Sequence, residues 1–327
     1  MMTEEQLYNS FIERDTRALA RIISLLENME PAGLAMYKRI YSIVPSAYRV
    51  GITGPPGVGK STLTSHLAHH ARNSGRDVAI VAVDATSPLS GGALLGDRLR
   101  MKRLFDDKKI FIRSMGSRGR GGGLSDSTTL ILDAMEAFGK DMIFVETVGV
   151  GQTGTDVMSA VDTCIVVLMP GSGDAIQAMK AGLLEIGDIF VLNKIDIQET
   201  DELWEALSDI ILNKPALDGK WRAPLIKTEA NKGVGIDRVM EAITAHRDFL
   251  EKSGRRKERI KLRLKSQIEE LLRRELINRV FNDKTERIIE SAVENVMNGI
   301  SNPLSEVESL LGTIIEDKMN NTIFSEG

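Results

Sequence analysis

The apolar positions of this chain change period twice, and the changes mark out three segments. From residue 3 to 44 the period is helical: Leu19, Ile22, Ile23 and Leu26 share a face, and Pro31 with Gly33 interrupts the run. From Tyr48 to about Ile243, short apolar runs alternate with helical stretches. The runs are YRVGIT (48–53), VAIVAV (78–83), IFIR (110–113), MIFVET (142–147), CIVVLM (164–169), IFVLN (189–193) and PLIKT (224–228), with helices expected over 60–73, 126–138 and 174–185. Most of the runs are rich in Val and Ile and lack polar alternation, which predicts strands covered on both faces. The expected fold is α/β: a doubly wound, mainly parallel sheet whose ligand site lies at the carboxyl ends of the strands. Beyond His246 the period is helical again. One long helix is expected over 255–281, with Leu262, Leu264, Ile268, Leu271, Leu272, Leu276, Val280 and Phe281 as its apolar positions. A second is expected over 284–298, and Asn302 with Pro303 sets the N-cap and first position of a third, running to about 318. The organisation read from these periods is an N-terminal helical layer (1–45), an α/β domain (46–250) and a C-terminal helical arm (251–327).

Two short motifs fall at predicted strand ends. Residues 54–61 read GPPGVGKS and fit G-x-x-x-x-G-K-[ST]. Gly54, Gly57 and Gly59, with Pro55, Pro56 and Val58 between them, let successive N–H groups turn inward around a phosphate. Lys60 then reaches the β and γ oxygens, Ser61 offers a hydroxyl to Mg²⁺, and Thr62 continues the first helical turn. A phosphate loop does not distinguish ATP from GTP. The run NKID does: Asn193, Lys194 and Asp196 form N-K-x-D, and the acceptor-only carboxylate of Asp196 suits the N1–H and N2–H₂ donors of guanine. Adenine has no amino group on that edge, so it would leave the carboxylate unpaired.

Given a phosphate site, Mg²⁺ needs hard oxygen ligands beside it. Asp84 follows VAIVAV, Asp97 sits in GDRLRM, and Glu146 follows MIFV. Glu146 to Gly149 (ETVG) has the spacing of the D-x-x-G element. The Gly149 N–H would face the γ-phosphate, and Glu146 would act on the metal directly or through water. Asp84 and Glu146 read as metal-site groups, while Asp97 reads equally as a ligand or as a helix cap. Lys60, placed at the β and γ oxygens, is also a candidate for catalysis. The positions after the Gly149 motif, where many GTPases carry a water-orienting Gln, hold Val150 and Gly151, with Gln152 later still; slow intrinsic hydrolysis is expected. Residues 116–123 (GSRGRGGG), with Arg113 upstream, read either as a loop whose arginines close on a phosphate or partner, or as a linker. His66, His69 and His70 share the helix after the phosphate loop and read as packing or surface residues.

Composition narrows the setting. Of 327 residues, 42% are hydrophobic and 27% charged, as in ordinary globular proteins. The net charge of −4 gives no reason to expect nucleic-acid binding. The single cysteine, Cys164, lies in an apolar run and reads as a buried small side chain rather than a reactive thiol. The first residues, MMTEEQLYNS, lack a secretory pattern, and no apolar run approaches the roughly 18 residues of a membrane span. The expected location is cytoplasmic, without membrane contact. Within the arm, residues 255–279 carry ten basic and four acidic side chains. They form either a solvated face or a contact for an anionic partner, and an arm of this length more often packs on another subunit than stands alone.

Taken together, GITGPPGVGKST (51–62), VDATSP (83–88), GDRLRM (96–101), FIRSMGSRG (111–119), ETVGVGQ (146–152), NKID and the upstream RDTRALARIISLLEN (14–28) resemble the methylmalonyl-CoA mutase-associated GTPases, the MeaB/ArgK group. That group was formerly labelled lysine-arginine-ornithine transport-system kinases. The resemblance runs from about residue 14 to 250 and then continues as the arm. It implies a GTP- and GDP-binding, Mg²⁺-dependent GTPase that gates cofactor loading of an adenosylcobalamin-dependent methylmalonyl-CoA mutase and protects that enzyme. It further implies a homodimer joined through the helical extensions, metal and catalytic acids at Asp84, Asp97 and Glu146, and a partner-responsive switch over 171–185 that includes Gln177 and Lys180. Three positions depart from the group: Ala85 replaces a usual Pro, Gly121 stands in a usual Leu-Gly-Gly run, and Glu229-Ala230 replaces the Ser-Ala pair that caps guanine. The Ala230 N–H is still expected to face guanine O6. Two other readings stand beside this one. A kinase of a periplasmic amino-acid transport system needs a base and an acceptor dock, and nothing marks either. A metal-delivery GTPase usually brings His- or Cys-rich segments, and one cysteine with four histidines argues against it.

Overall fold

The computed structural model describes residues 2–41, 47–84, 107, 109–116, 126–147, 160–170, 182–196, 201–212, 221–281 and 283–312. The chain divides into two compact units, Met1–Lys265 and Ser266–Gly327.

The first unit is built on a seven-stranded sheet in the order β3-β2-β4-β1-β5-β6-β7. Its strands are β1 (Tyr48–Thr53), β2 (Val78–Asp84), β3 (Ile110–Gly116), β4 (Met142–Thr147), β5 (Thr163–Leu168), β6 (Ile189–Asn193) and β7 (Leu225–Thr228). All six pairings are parallel, so the expected "mainly parallel" sheet is wholly parallel among the described strands. The apolar runs explain which strands sit where. β1, β4, β5 and β6 are buried at every position, as central strands covered on both faces must be, whereas the edge strands β3 and β7 carry half-exposed residues.

Helices α1 (Glu4–Ile12), α2 (Thr16–Glu27) and α3 (Pro31–Ile40) form the layer expected ahead of β1. Pro31 does not only interrupt: it is the first residue of α3, where its missing N–H costs nothing. Leu19, Ile22, Ile23 and Leu26 are all fully buried, and α2 packs on α3 and on α5 (Asp126–Ala137). On one face of the sheet, α4 (Lys60–Asn73) and α8 (Ile236–Lys252) enclose Val50, Ile52, Leu63, Leu67, Phe144 and Val239. On the other, α6 (Leu183–Ile186) and α7 (Asp201–Leu212) cover Val166, Leu168, Phe190 and Leu192. Most of the helix expected over 174–185 lies outside the described residues. Cys164 is fully buried, and burial pushes its thiol pKa upward, which fits the packing role expected of it.

The long helix α9 (Arg255–Val280) leaves the first unit, and α10 (Asp283–Met297) with a helix over 303–312 belongs to the second. None of the described helices is long and apolar enough to cross a membrane.

Candidate functional site

The phosphate loop joins β1 to α4. Gly54, Gly57 and Gly59 have φ values of 146°, 82° and 95°, in the region that disfavours a side chain. At two of them space also excludes one: a Cβ on Gly54 would lie 2.1 Å from the Val167 carbonyl oxygen, and one on Gly59 would lie 2.4 Å from Asn193 Nδ2. Pro55 and Val58 are buried and Pro56 is exposed, so Val58 roots the loop in the core. Lys60 is buried, and its Nζ donates to the carbonyl oxygens of Gly54 and Pro55, each at 2.9 Å. The ammonium is thereby held inside the loop. Thr62 is half-buried in the first turn of α4, at the positive end of that helix.

Beside the loop, the end of β4 carries Glu146 between β1 and β2, in register with Ile52 and Ala82. Ser61 Oγ donates to Glu146 Oε1 at 2.6 Å, and both residues are buried. Thr147, next along β4, donates to Thr53 Oγ1 at 3.1 Å. The fold thus brings two hard oxygens, 85 residues apart in sequence, together at the loop. That donor set fits Mg²⁺. Asp84 is the last residue of β2, the strand next to β4. Asp97, Gly149, Gln177 and Lys180 lie outside the described residues. Among the described residues, no group of three or more His, Cys, Asp or Glu side chains converges as metal ligands.

The side expected to meet the base is organised by Asn193, the last residue of β6. Its Nδ2 donates to the Val58 carbonyl at 2.8 Å, and its Oδ1 accepts from Thr228 Oγ1 at 2.9 Å and from the Ala230 N–H at 3.0 Å. One buried amide therefore ties the phosphate loop to the loop after β7. Lys194 then takes φ +61°, and Asp196 stands exposed on the turn. The Ala230 N–H, expected to face guanine O6, is directed at Asn193, so contact with O6 requires that hydrogen bond to be shared or exchanged. Glu229 is buried and pairs with Lys232, whose pKa is raised by the hydrogen bond and charge of that carboxylate.

Several groups stand differently from the sequence reading. Arg113, considered for a phosphate or partner, forms an ion pair with Glu27 of α2. The basic start of the arm is more than a solvated face. Arg259 holds both oxygens of Asp188 at 2.9 and 2.7 Å, Arg256 donates to the Ala47 carbonyl at 2.9 Å, and Arg263 lies 3.7 Å from Asp162. His70 pairs with Asp237 at 3.1 Å and His69 with Asn73 at 2.9 Å, as surface residues do. Sequence reasoning missed the buried Arg49, which pairs with Asp133 and Glu136 of α5. The signal for it was an arginine inside an otherwise apolar strand, YRVGIT.

A family model described as methylmalonyl Co-A mutase-associated GTPase MeaB matches residues 19–285. A Pyrococcus abyssi protein named only as a GTPase is 41% identical over 314 residues, covering 95% of this chain and 97% of its own length. The GTPase ArgK of Escherichia coli is 33% identical, with 89% of this chain and 91% of that protein covered. The methylmalonic aciduria type A homolog, mitochondrial, of Caenorhabditis elegans is 30% identical, covering 76% and 67%. Among solved structures, an LAO/AO transport system kinase aligns with a TM-score of 0.69 at 25% identity, covering 95% of this chain and 97% of that one.

Proposed function

This chain belongs to the methylmalonyl-CoA mutase-associated GTPase family and is a P-loop GTPase, and we propose that it binds and hydrolyses GTP with Mg²⁺ to regulate cofactor loading and protection of an adenosylcobalamin-dependent methylmalonyl-CoA mutase. The observation that carries the nucleotide reading is the Asn193 tie, which sets the phosphate loop and the base-side loop at a fixed separation. The family description and the name of the Caenorhabditis elegans relative support the client. We assign the nucleotide to Gly54 through Thr62, Gly149, Asn193, Lys194, Asp196, Glu229 and Ala230. The phosphates displace the two carbonyl contacts of Lys60, whose ammonium then neutralises their charge together with the inward N–H groups and the start of α4. Ser61 and Glu146 would hold Mg²⁺ together with Asp84 and Asp97; when bound, the ion draws charge from the β and γ oxygens. Asp196 reads guanine. Val150 and Gly151 cannot orient a water, so an acidic residue, the client or both supply that geometry, and residues 171–185 with Gln177 and Lys180 report the nucleotide state.

Dimerisation belongs to the same reading. The second unit exposes Ile268, Leu272 and Leu276, spaced four residues apart on one face of α9, at 64%, 55% and 52%. A second copy of this chain is the partner proposed for them, in a cytoplasmic homodimer.

Calorimetric titration tests the nucleotide assignment. GTP should bind and ATP should not, and Asp196→Ala should cost about 2–4 kcal/mol of guanine affinity, the loss of a charge-assisted two-point contact. Equal affinity for ATP and GTP would sink it. Single-turnover hydrolysis tests the client: the rate should be slow alone and rise when apo-mutase is added. A fast rate indifferent to the mutase would reject the regulatory role.

A further inference from the structure

The loop after β7 reads TEANKGVG (228–235) and folds back on itself beside the turn that carries Asp196, where the Ile195 N–H donates to the Thr228 carbonyl at 3.5 Å. Glu229 and Val234 exchange backbone hydrogen bonds at 3.1 and 3.2 Å, Ala230–Lys232 make a single 3₁₀ turn, and Gly233 closes it at φ +75°. This geometry stacks the side chains at 229 and 232, and Lys232 Nζ forms an ion pair with Glu229 Oε1. The partners differ in burial: the Glu229 side chain is 12% exposed and that of Lys232 is 65% exposed. A carboxylate so far from water depends on its counter-charge, whereas a surface ammonium does not. Lys232 also feels Asp196, which adds to the retention of its proton after the larger effects of Glu229. Asp196 itself is exposed on its turn.

We propose that Glu229 is a specificity-determining residue that acts by holding the Lys232 ammonium away from Asp196, leaving that carboxylate free to accept the N1–H and N2–H₂ donors of guanine. The proposal rests on Asp196 being the guanine-reading group. Its physical basis is competition for the same two oxygens. An ammonium on a four-carbon stem, released into the field of Asp196, is drawn to that carboxylate and must be displaced before neutral guanine donors can bind. Glu229 wins the ammonium because it is the less hydrated of the two carboxylates and because the 3₁₀ turn fixes its distance from Lys232. The departure from a Ser-Ala cap therefore has a chemical consequence: a carboxylate at 229 removes a positive charge that the same loop introduces at 232.

Titration of the full-length protein with GDP, IDP and ADP tests this, using wild type, Glu229→Gln and the double variant Glu229→Gln/Lys232→Met. Glu229→Gln keeps the side-chain shape and should weaken GDP binding about five- to tenfold. IDP, which lacks the N2 amino group, should lose less. Removing the released ammonium in the double variant should return GDP affinity to within about twofold of wild type. A Glu229→Gln protein that binds GDP as tightly as wild type overturns the proposal. So does a double variant as weak as the single, since Glu229 would then act only on loop shape. Wild type that binds ADP as well as GDP would instead defeat the reading of Asp196 on which this one stands.

Discussion

Asn193 and Asp196 lie three residues apart and do different work because one is buried and the other exposed. Asp196 stands exposed on its turn, so its removal should leave the thermal midpoint unchanged while affinity falls. Asn193 satisfies a loop carbonyl, a threonine hydroxyl and an N–H at once. Asn193→Ala strands buried polar groups on two loops, each costing about 1–3 kcal/mol. Both thermal stability and GDP affinity should therefore drop, the latter by on the order of tenfold or more. Paired calorimetry and thermal melts check this. A variant that loses affinity without losing stability would show that the tie does not hold the loops in the apo protein.

At the scale of elements, the amino-terminal ends of the strands carry a second polar layer, at the opposite end of the sheet from the phosphate loop. Asp162 and Asp188 cap the starts of β5 and β6, accepting from the Arg49 and Cys164 N–H groups at 2.9 Å, and both also face arginines of α9. His246 of α8 is enclosed there, with Nδ1 2.8 Å from Thr163 Oγ1 and Nε2 3.4 Å from Asp188. Burial lowers its pKa to about 4; Asp188 and Asp162 oppose that shift and Arg259 assists it. Since the folded pKa lies below the usual 6.5, the unfolded chain binds the proton more readily between those values. Stability is therefore full above pH 6.5 and declines as pH falls toward 4. From pH 7 to 5 the loss from this one group is about 2 kcal/mol. Urea unfolding at the two pH values should show that loss in wild type and a smaller one in His246→Gln. Equal losses in the two proteins would mean that His246 is not the group responsible.

For the whole molecule, the place where the arm is cut decides what is lost. Arg256, Arg259 and Arg263 belong to the first unit although they lie on the arm's helix. A chain ended after Lys265 keeps them, and should stay folded, bind GDP normally and sediment as a monomer. A chain ended after Gly254 leaves Asp162 and Asp188 with their N–H partners but without the arm's arginines, and a buried carboxylate stripped of its counter-charge costs about 3–5 kcal/mol. That shorter chain should melt markedly lower. Sedimentation and thermal unfolding of the two truncations check both statements. A Lys265 truncation that still dimerises would move the subunit interface into the first unit.

Much of this architecture is local in origin and therefore legible in the chain. Runs such as MIFVET and IFVLN are buried at every position, so their lack of alternation already announced central strands, and β1, β4 and β6 begin and end where the apolar runs do. The phosphate loop was legible for the same reason: its glycines answer to backbone angles set within a few residues. What the sequence by itself could not decide is how charges separated along the chain pair. Arg113 could as well have met a phosphate as Glu27, 86 positions away; Arg49 stood in an apolar run without its partners on α5; and three of the arm's arginines gave no sign that they would be drawn into the first unit. Apolar burial depends on period, which a sequence displays. Ion pairing depends on which distant elements the sheet order brings face to face, and only the tertiary structure sets that.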